Sequence, residues 1–165
     1  MTNLKKWVGT SLMALLLAAF AVFGFAMVGN GKLNLSHANL SPREFICPEL
    51  AKDYSYTIKG TLDADNETRN KITVRSMSTA AVVEKLAGNW GMAVGDRSGA
   101  EEIGFSPKSI DPGQKTTFNF TTPWSCTNEG TNTQETYADF KIQLTIDTDH
   151  GKYTVDLPTH RMRMG

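Results

Sequence analysis

No sign of charge dominates this chain. Lysines and arginines number 17, as do aspartates and glutamates, so no net field gathers nucleic acid or a strongly anionic partner, and nucleic-acid binding is not expected. Cysteine is nearly absent: Cys47 and Cys126 are the only two, and they lack the close Cys-x-x-Cys spacing that dithiol redox and zinc chemistry use. Histidine is hardly commoner, and none of His37, His150 and His160 stands beside a recognisable nucleophile motif, which removes the hydrolase constellations. The glycine-rich stretch 88–104 has no Gly-Lys-Ser/Thr ending and cannot be read as a phosphate cradle. These absences together point away from an enzyme.

What the chain does have is a long uncharged run. From Trp7 to Val28 there are twenty-two residues without a charge, preceded by Lys5 and Lys6 and followed by Gly29, Asn30, Gly31 and Lys32. As a helix this run spans about 33 Å, against a hydrocarbon core of about 30 Å. It is therefore read as a single transmembrane helix, with the amino terminus cytoplasmic, by the lysines that precede it, and the remainder periplasmic. The localisation expected is the bacterial inner membrane. The alternative is secretion after signal cleavage, since Ser36-His37-Ala38 offers small residues where signal peptidase needs them. On a helical wheel Thr10, Ala14, Ala18 and Ala21 share one face, opposite Leu12, Leu16, Phe20 and Phe23. Small faces let helices approach closely in lipid, so this one is expected to pack on another subunit.

An exported location makes the two cysteines a disulfide candidate, Cys47 to Cys126. The segment 32–53 is polar, contains Pro42 and Pro48, and reads as a spacer between the anchor (1–31) and a domain over 54–165. In that domain Tyr54, Tyr56, Ile58 and Leu62 alternate with polar residues, as do Ile72 and Val74, then Thr116, Phe118 and Phe120, then Phe140, Ile142, Leu144 and Ile146. Period-two alternation marks strands with one buried face. Residues 147–152 turn the last of these back through Tyr153, Val155 and Leu157, and Asp111-Pro112-Gly113-Gln114 has the composition of a type II turn. Ser78 to Ala87, stopped by Gly88, reads as the one short helix, although Ala81-Val82-Val83 could equally continue a strand. The fold class expected is mainly β, an antiparallel immunoglobulin-like β-sandwich after the transmembrane helix, with at most that one helix.

Two sets of side chains could carry ligand chemistry. In the tail, His160, Met162 and Met164 fall on one side of an extended strand, and an imidazole with two thioethers suits Cu(I). No cofactor is expected, with copper at the tail as the alternative. Asp63, Asp65 and Glu67 in one turn, and Asp147 with Asp149 in another, offer oxygen ligands at alternate positions without the full calcium-loop pattern. Trp90, in the glycine-rich stretch, is a candidate partner contact.

The leading expectation is thus a non-enzymatic accessory subunit of a larger bacterial membrane complex, of electron-transfer or photosynthetic type, whose partners are the lipid bilayer and the other subunits. The alternatives are an exported copper-binding or copper-delivery protein, and a secreted adhesion or carbohydrate-binding sandwich that stacks sugars on Trp90 and Trp124.

Overall fold

Alternating burial runs through almost every element of the computed structural model, which describes residues 31–130 and 135–165. The anchor segment, with Thr10, Ala14, Ala18 and Ala21, lies outside the described residues. Eleven strands follow: β1 (Leu33–Ser41), β2 (Glu44–Cys47), β3 (Tyr54–Asn66), β4 (Ile72–Ala87), β5 (Glu101–Glu102), β6 (Gly104–Ser106), β7 (Ser109–Ile110), β8 (Lys115–Cys126), β9 (Tyr137–Thr148), β10 (Gly151–Asp156) and β11 (His160–Met164). Among the described residues there is no helix, and so none long and apolar enough to cross a membrane.

The strands form two sheets. One has the order β1-β3-β8-β6; the other has the order β2-β11-β9-β4-β5, with β10 also on β9 and β7 also on β4. All pairings are antiparallel except that of β2 with β11, which is parallel. Ile58, Leu62, Phe118 and Phe120 of the first sheet bury against Ile72, Val74, Met77, Leu144 and Ile146 of the second. The result is a β-sandwich.

Two expectations are corrected. The helix expected over Ser78 to Ala87 is the second half of β4, a strand paired with β9 along its length. Its burial alternates on Ile72 and Val74, skips a residue, and resumes on Met77, Thr79, Ala81 and Val83. The skip is a β-bulge, since Val74 faces Thr148 while Ser76 faces Asp147, leaving Arg75 as the extra residue. The segment 32–53, read as a spacer, carries β1 and β2. A bulge interrupts β1 as well, between Ser36 and Asn39, with His37 at φ 49°. The chain enters the domain beside Glu67, whose N–H donates to the Lys32 carbonyl at 3.1 Å.

Two loops at that end are locked by one side chain. Asn66 is fully buried; its amide group donates to the carbonyls of Asn70, Ile110 and Asp111, and its oxygen accepts from the N–H and hydroxyl of Thr68. Its backbone also holds Gly113 and Gln114, in a turn where Gly113 adopts φ 70° and Gln114 N–H donates to Asp111, as the type II pattern requires. The opposite end is closed by the Cys47–Cys126 disulfide, with a Cα–Cα distance of 6.1 Å, which ties β2 of one sheet to β8 of the other. The disulfide suggests an oxidising, extracytoplasmic environment.

Candidate functional site

The apolar interior is not continuous. One group of buried side chains surrounds Phe118 and Ile146; a second surrounds the disulfide and contains Ala81, Val83, Ala138, Phe140 and Met162, with Tyr56 and Trp124 touching both groups. A cleft of about 890 Å³ opens beside the second group and reaches Ile142 of the first. Its walls are Tyr56 and Trp124 from the first sheet, and Ala81, Val83, Phe140, Ile142 and Met162 from the second. Small side chains at Thr79, Ala81 and Val83 leave this space, because β4 presents nothing bulky where Ile72 and Met77 fill the other half.

The way in is set by strand lengths. β6 pairs with β8 only over Asn119–Thr121, so beyond Thr121 this side of β8 carries no strand among the described residues. Pro123 stands on that open edge, where a missing N–H costs no ladder bond. The facing edge of β4 is covered by the loop 93–99: Ala81 N–H donates to the Ser98 hydroxyl at 2.8 Å, and Val83 exchanges backbone bonds with Gly95 and Asp96. Trp90 reaches the cleft from the preceding loop, with its indole N–H on the Ala87 carbonyl at 2.9 Å. Trp90 and Trp124 thus both line the cleft, half-buried, rather than standing on an open surface.

One wall group has no partner. The Thr122 hydroxyl is buried and makes no hydrogen bond, although the residue is only 4% exposed. Leaving such a group unpaired costs about 1–3 kcal/mol.

Beneath the cleft, the tail forms β11 and points its alternate residues inward as the spacing predicts: His160 and Met162 are buried and Met164 is half-buried. The His160 ring is already bonded at both nitrogens. Nδ1 lies 3.1 Å from the Pro42 carbonyl, which only accepts, so Nδ1 carries the proton and Nε2 accepts from the Tyr56 hydroxyl at 2.8 Å. Burial pushes the imidazole down from its ordinary value and pushes the Tyr56 phenol well up. Phe45 stacks on Tyr56 at 3.8 Å between centroids, and Trp124 meets Phe140 edge-on at 5.3 Å. A metal at His160 would have to displace one of these bonds. No group of three or more His, Cys, Asp or Glu side chains is placed to hold a metal among the described residues. The aspartates are engaged: Asp63 accepts from Thr117, Asp65 pairs with Lys115, Asp147 with Lys152, and Asp149 accepts from the Thr73 N–H and His150.

On the outer face of the second sheet, Arg161 grips Asp139 through two bonds of 2.6 and 2.8 Å and lies over the Tyr137 ring. This pair holds the Asp139 carboxyl below its ordinary value. Sequence reading missed both this pair and the cleft. Alternation could have placed Arg161 outward, but its partner depends on the β9–β11 register.

No family model matches the chain, and no curated protein does. Among solved structures it is similar to an Archaeoglobus fulgidus protein at 17% identity and TM-score 0.43, covering 80% of this chain and 98% of that one. It is similar also to the sporulation control protein Spo0M of Bacillus subtilis, at 13% identity and TM-score 0.40, covering 83% and 50%. A third is the Pseudomonas fluorescens alkylpurine DNA glycosylase AlkC, at 7% identity and TM-score 0.41, covering 81% of this chain; this chain spans 30% of the glycosylase. At these values none of the three lends its function to this chain. What the fold and its site define is a disulfide-linked β-sandwich with a cleft between its sheets.

Proposed function

We propose that this protein is a non-enzymatic accessory subunit of a bacterial membrane complex. In this reading Trp7–Val28 is a single-pass anchor that docks on a neighbouring subunit through Thr10, Ala14, Ala18 and Ala21, and the domain is an immunoglobulin-like sandwich on the periplasmic face. The observation that carries it is the Cys47–Cys126 bridge in a domain that follows a long uncharged run: the bridge suits an exported domain, and the run is long enough to stay in the bilayer. Co-purification from membranes in mild detergent tests the docking. Ala14→Phe and Ala18→Phe should release the protein from its partners while it stays membrane-inserted, and Leu16→Ala should stay assembled, because only the small face allows close backbone approach. Retained association in both phenylalanine variants would sink the docking reading and leave the helix as a tether. Recovery of a cleaved, freely soluble chain would remove the anchor altogether.

A further inference from the structure

We propose that the cleft between the two sheets is a binding site for an uncharged, mostly apolar small molecule carrying one hydrogen-bonding group. This goes beyond the subunit reading and does not depend on it, since it concerns the β-domain alone. Volume is the first argument. The cleft offers about 890 Å³ beside the group of buried side chains around the disulfide, within the range of about 300–1,000 Å³ that pockets for small organic ligands occupy. Sandwich interiors are otherwise packed to crystal density, and an unfilled gap forfeits the contacts its lining could make.

The lining chooses the class of ligand. Trp124, Phe140, Ile142, Val83 and Met162 offer aromatic and aliphatic surface, so the body of the ligand is apolar. Among the described residues, Arg97 is the one cation in the lining. Arg97, at the rim, sits opposite Val82 and within electrostatic reach of Lys141, a residue of the outer face. The other charges at the rim, Asp96 and Glu101, are carboxylates, so a bound carboxylate or phosphate would be both unpaired and repelled. Of the serine and threonine hydroxyls in the lining, that of Thr122 is buried without a partner, and it supplies the polar contact for the ligand's hydrogen-bonding group. The open edge of β8 beside Pro123 gives the way in.

The test uses the full chain in lipid nanodiscs and N-phenyl-1-naphthylamine, a neutral aromatic amine, as the probe. Binding is read as energy transfer from protein tryptophan to the probe, with empty nanodiscs subtracted. The expected result is a saturable one-to-one signal. Ala81→Phe, which fills the cleft, should weaken it by about tenfold or more. Thr122→Val keeps the shape and removes only the hydroxyl; it should weaken binding by about two- to tenfold, the worth of one hydrogen bond. Should Ala81→Phe fail to fold, Thr122→Val decides alone. A non-saturating signal overturns the proposal, and so does unchanged affinity in a folded Ala81→Phe or in Thr122→Val.

Discussion

The Tyr56 hydroxyl donates to Nε2 of His160 across 2.8 Å, joining β3 of one sheet to β11 of the other inside the sandwich. Because Nδ1–H is committed to the Pro42 carbonyl, the neutral ring accepts at Nε2, and protonation there would place a charge in the interior and turn the Tyr56 hydroxyl from donor to acceptor. Burial accordingly lowers the imidazole's proton affinity below its unfolded value.

The first prediction concerns pH. A histidine whose folded pKa is depressed leaves the unfolded chain binding more protons as pH falls. Stability should be full above an unfolded value of about 6.5 and should decline as pH drops below it toward the lower folded value. Urea midpoints between pH 8 and 5 should fall in the wild type, and fall less in His160→Gln. Equal slopes for the two would place the acid sensitivity elsewhere. Tyr56→Phe should cost about 1–3 kcal/mol at neutral pH, since it leaves Nε2 buried and unpaired.

The same bonds bear on copper. Cu(I) titrated against a strong competing chelator should find no tight site, and Met162→Leu with Met164→Leu should leave the titration unchanged. A one-to-one complex that weakens in the double variant would restore the tail as a copper site.

Removing the bridge should cost stability without changing the fold. Cys47→Ser with Cys126→Ser opens a loop with a sequence separation of 79, worth up to about 4.5 kcal/mol in the chain-entropy model. Denaturation by urea measures this, and the amide spectrum should show that the sheets persist.

Asn66 anchors two loops through five side-chain bonds. Asn66→Ala should cost about 2–4 kcal/mol, because several buried backbone groups lose their partner at once. Amide exchange should quicken at Gly113 and Gln114 before it does at Phe140.

Gly60 lies directly under the ring of Phe120, its cross-strand neighbour. Gly60→Ala should destabilise by about 1–3 kcal/mol, through displacement of that ring from the core. Adding Phe120→Leu should recover part of the loss.

The strands that could be read in advance are those in which alternation is unbroken: β3, β8, and the hairpin of β9 with β10. β1 and the second half of β4 could not be read, for one shared physical reason. Each contains a bulge, so inward residues change parity midway, from Leu33 and Leu35 to Ala38 and Leu40, and from Val74 to Met77. The small residues Ala80-Ala81-Val82-Val83 then carried no pattern that told a strand from a helix. β2 has four residues and takes its place from β11, a partner far along the chain. The tail's alternation placed His160 and Met162 on one face, and pairing alone revealed that this face is the interior. The cleft was invisible because it arises from what Ala81 and Val83 fail to fill, and from how short β6 is.

The parallel pairing of β2 with β11 has a consequence for biogenesis. Glu44 of β2 and Arg163 of β11 meet although they stand 119 residues apart in the chain. As synthesis supplies the chain, β4, β9 and β10 can pair with one another, but β2 has no partner strand among the described residues until residues 161–164 are present. Non-local pairing is gained only after the intervening chain has been ordered. The stretch 161–164 therefore works as a latch: until it pairs, the half of the sandwich around Cys47 stays open.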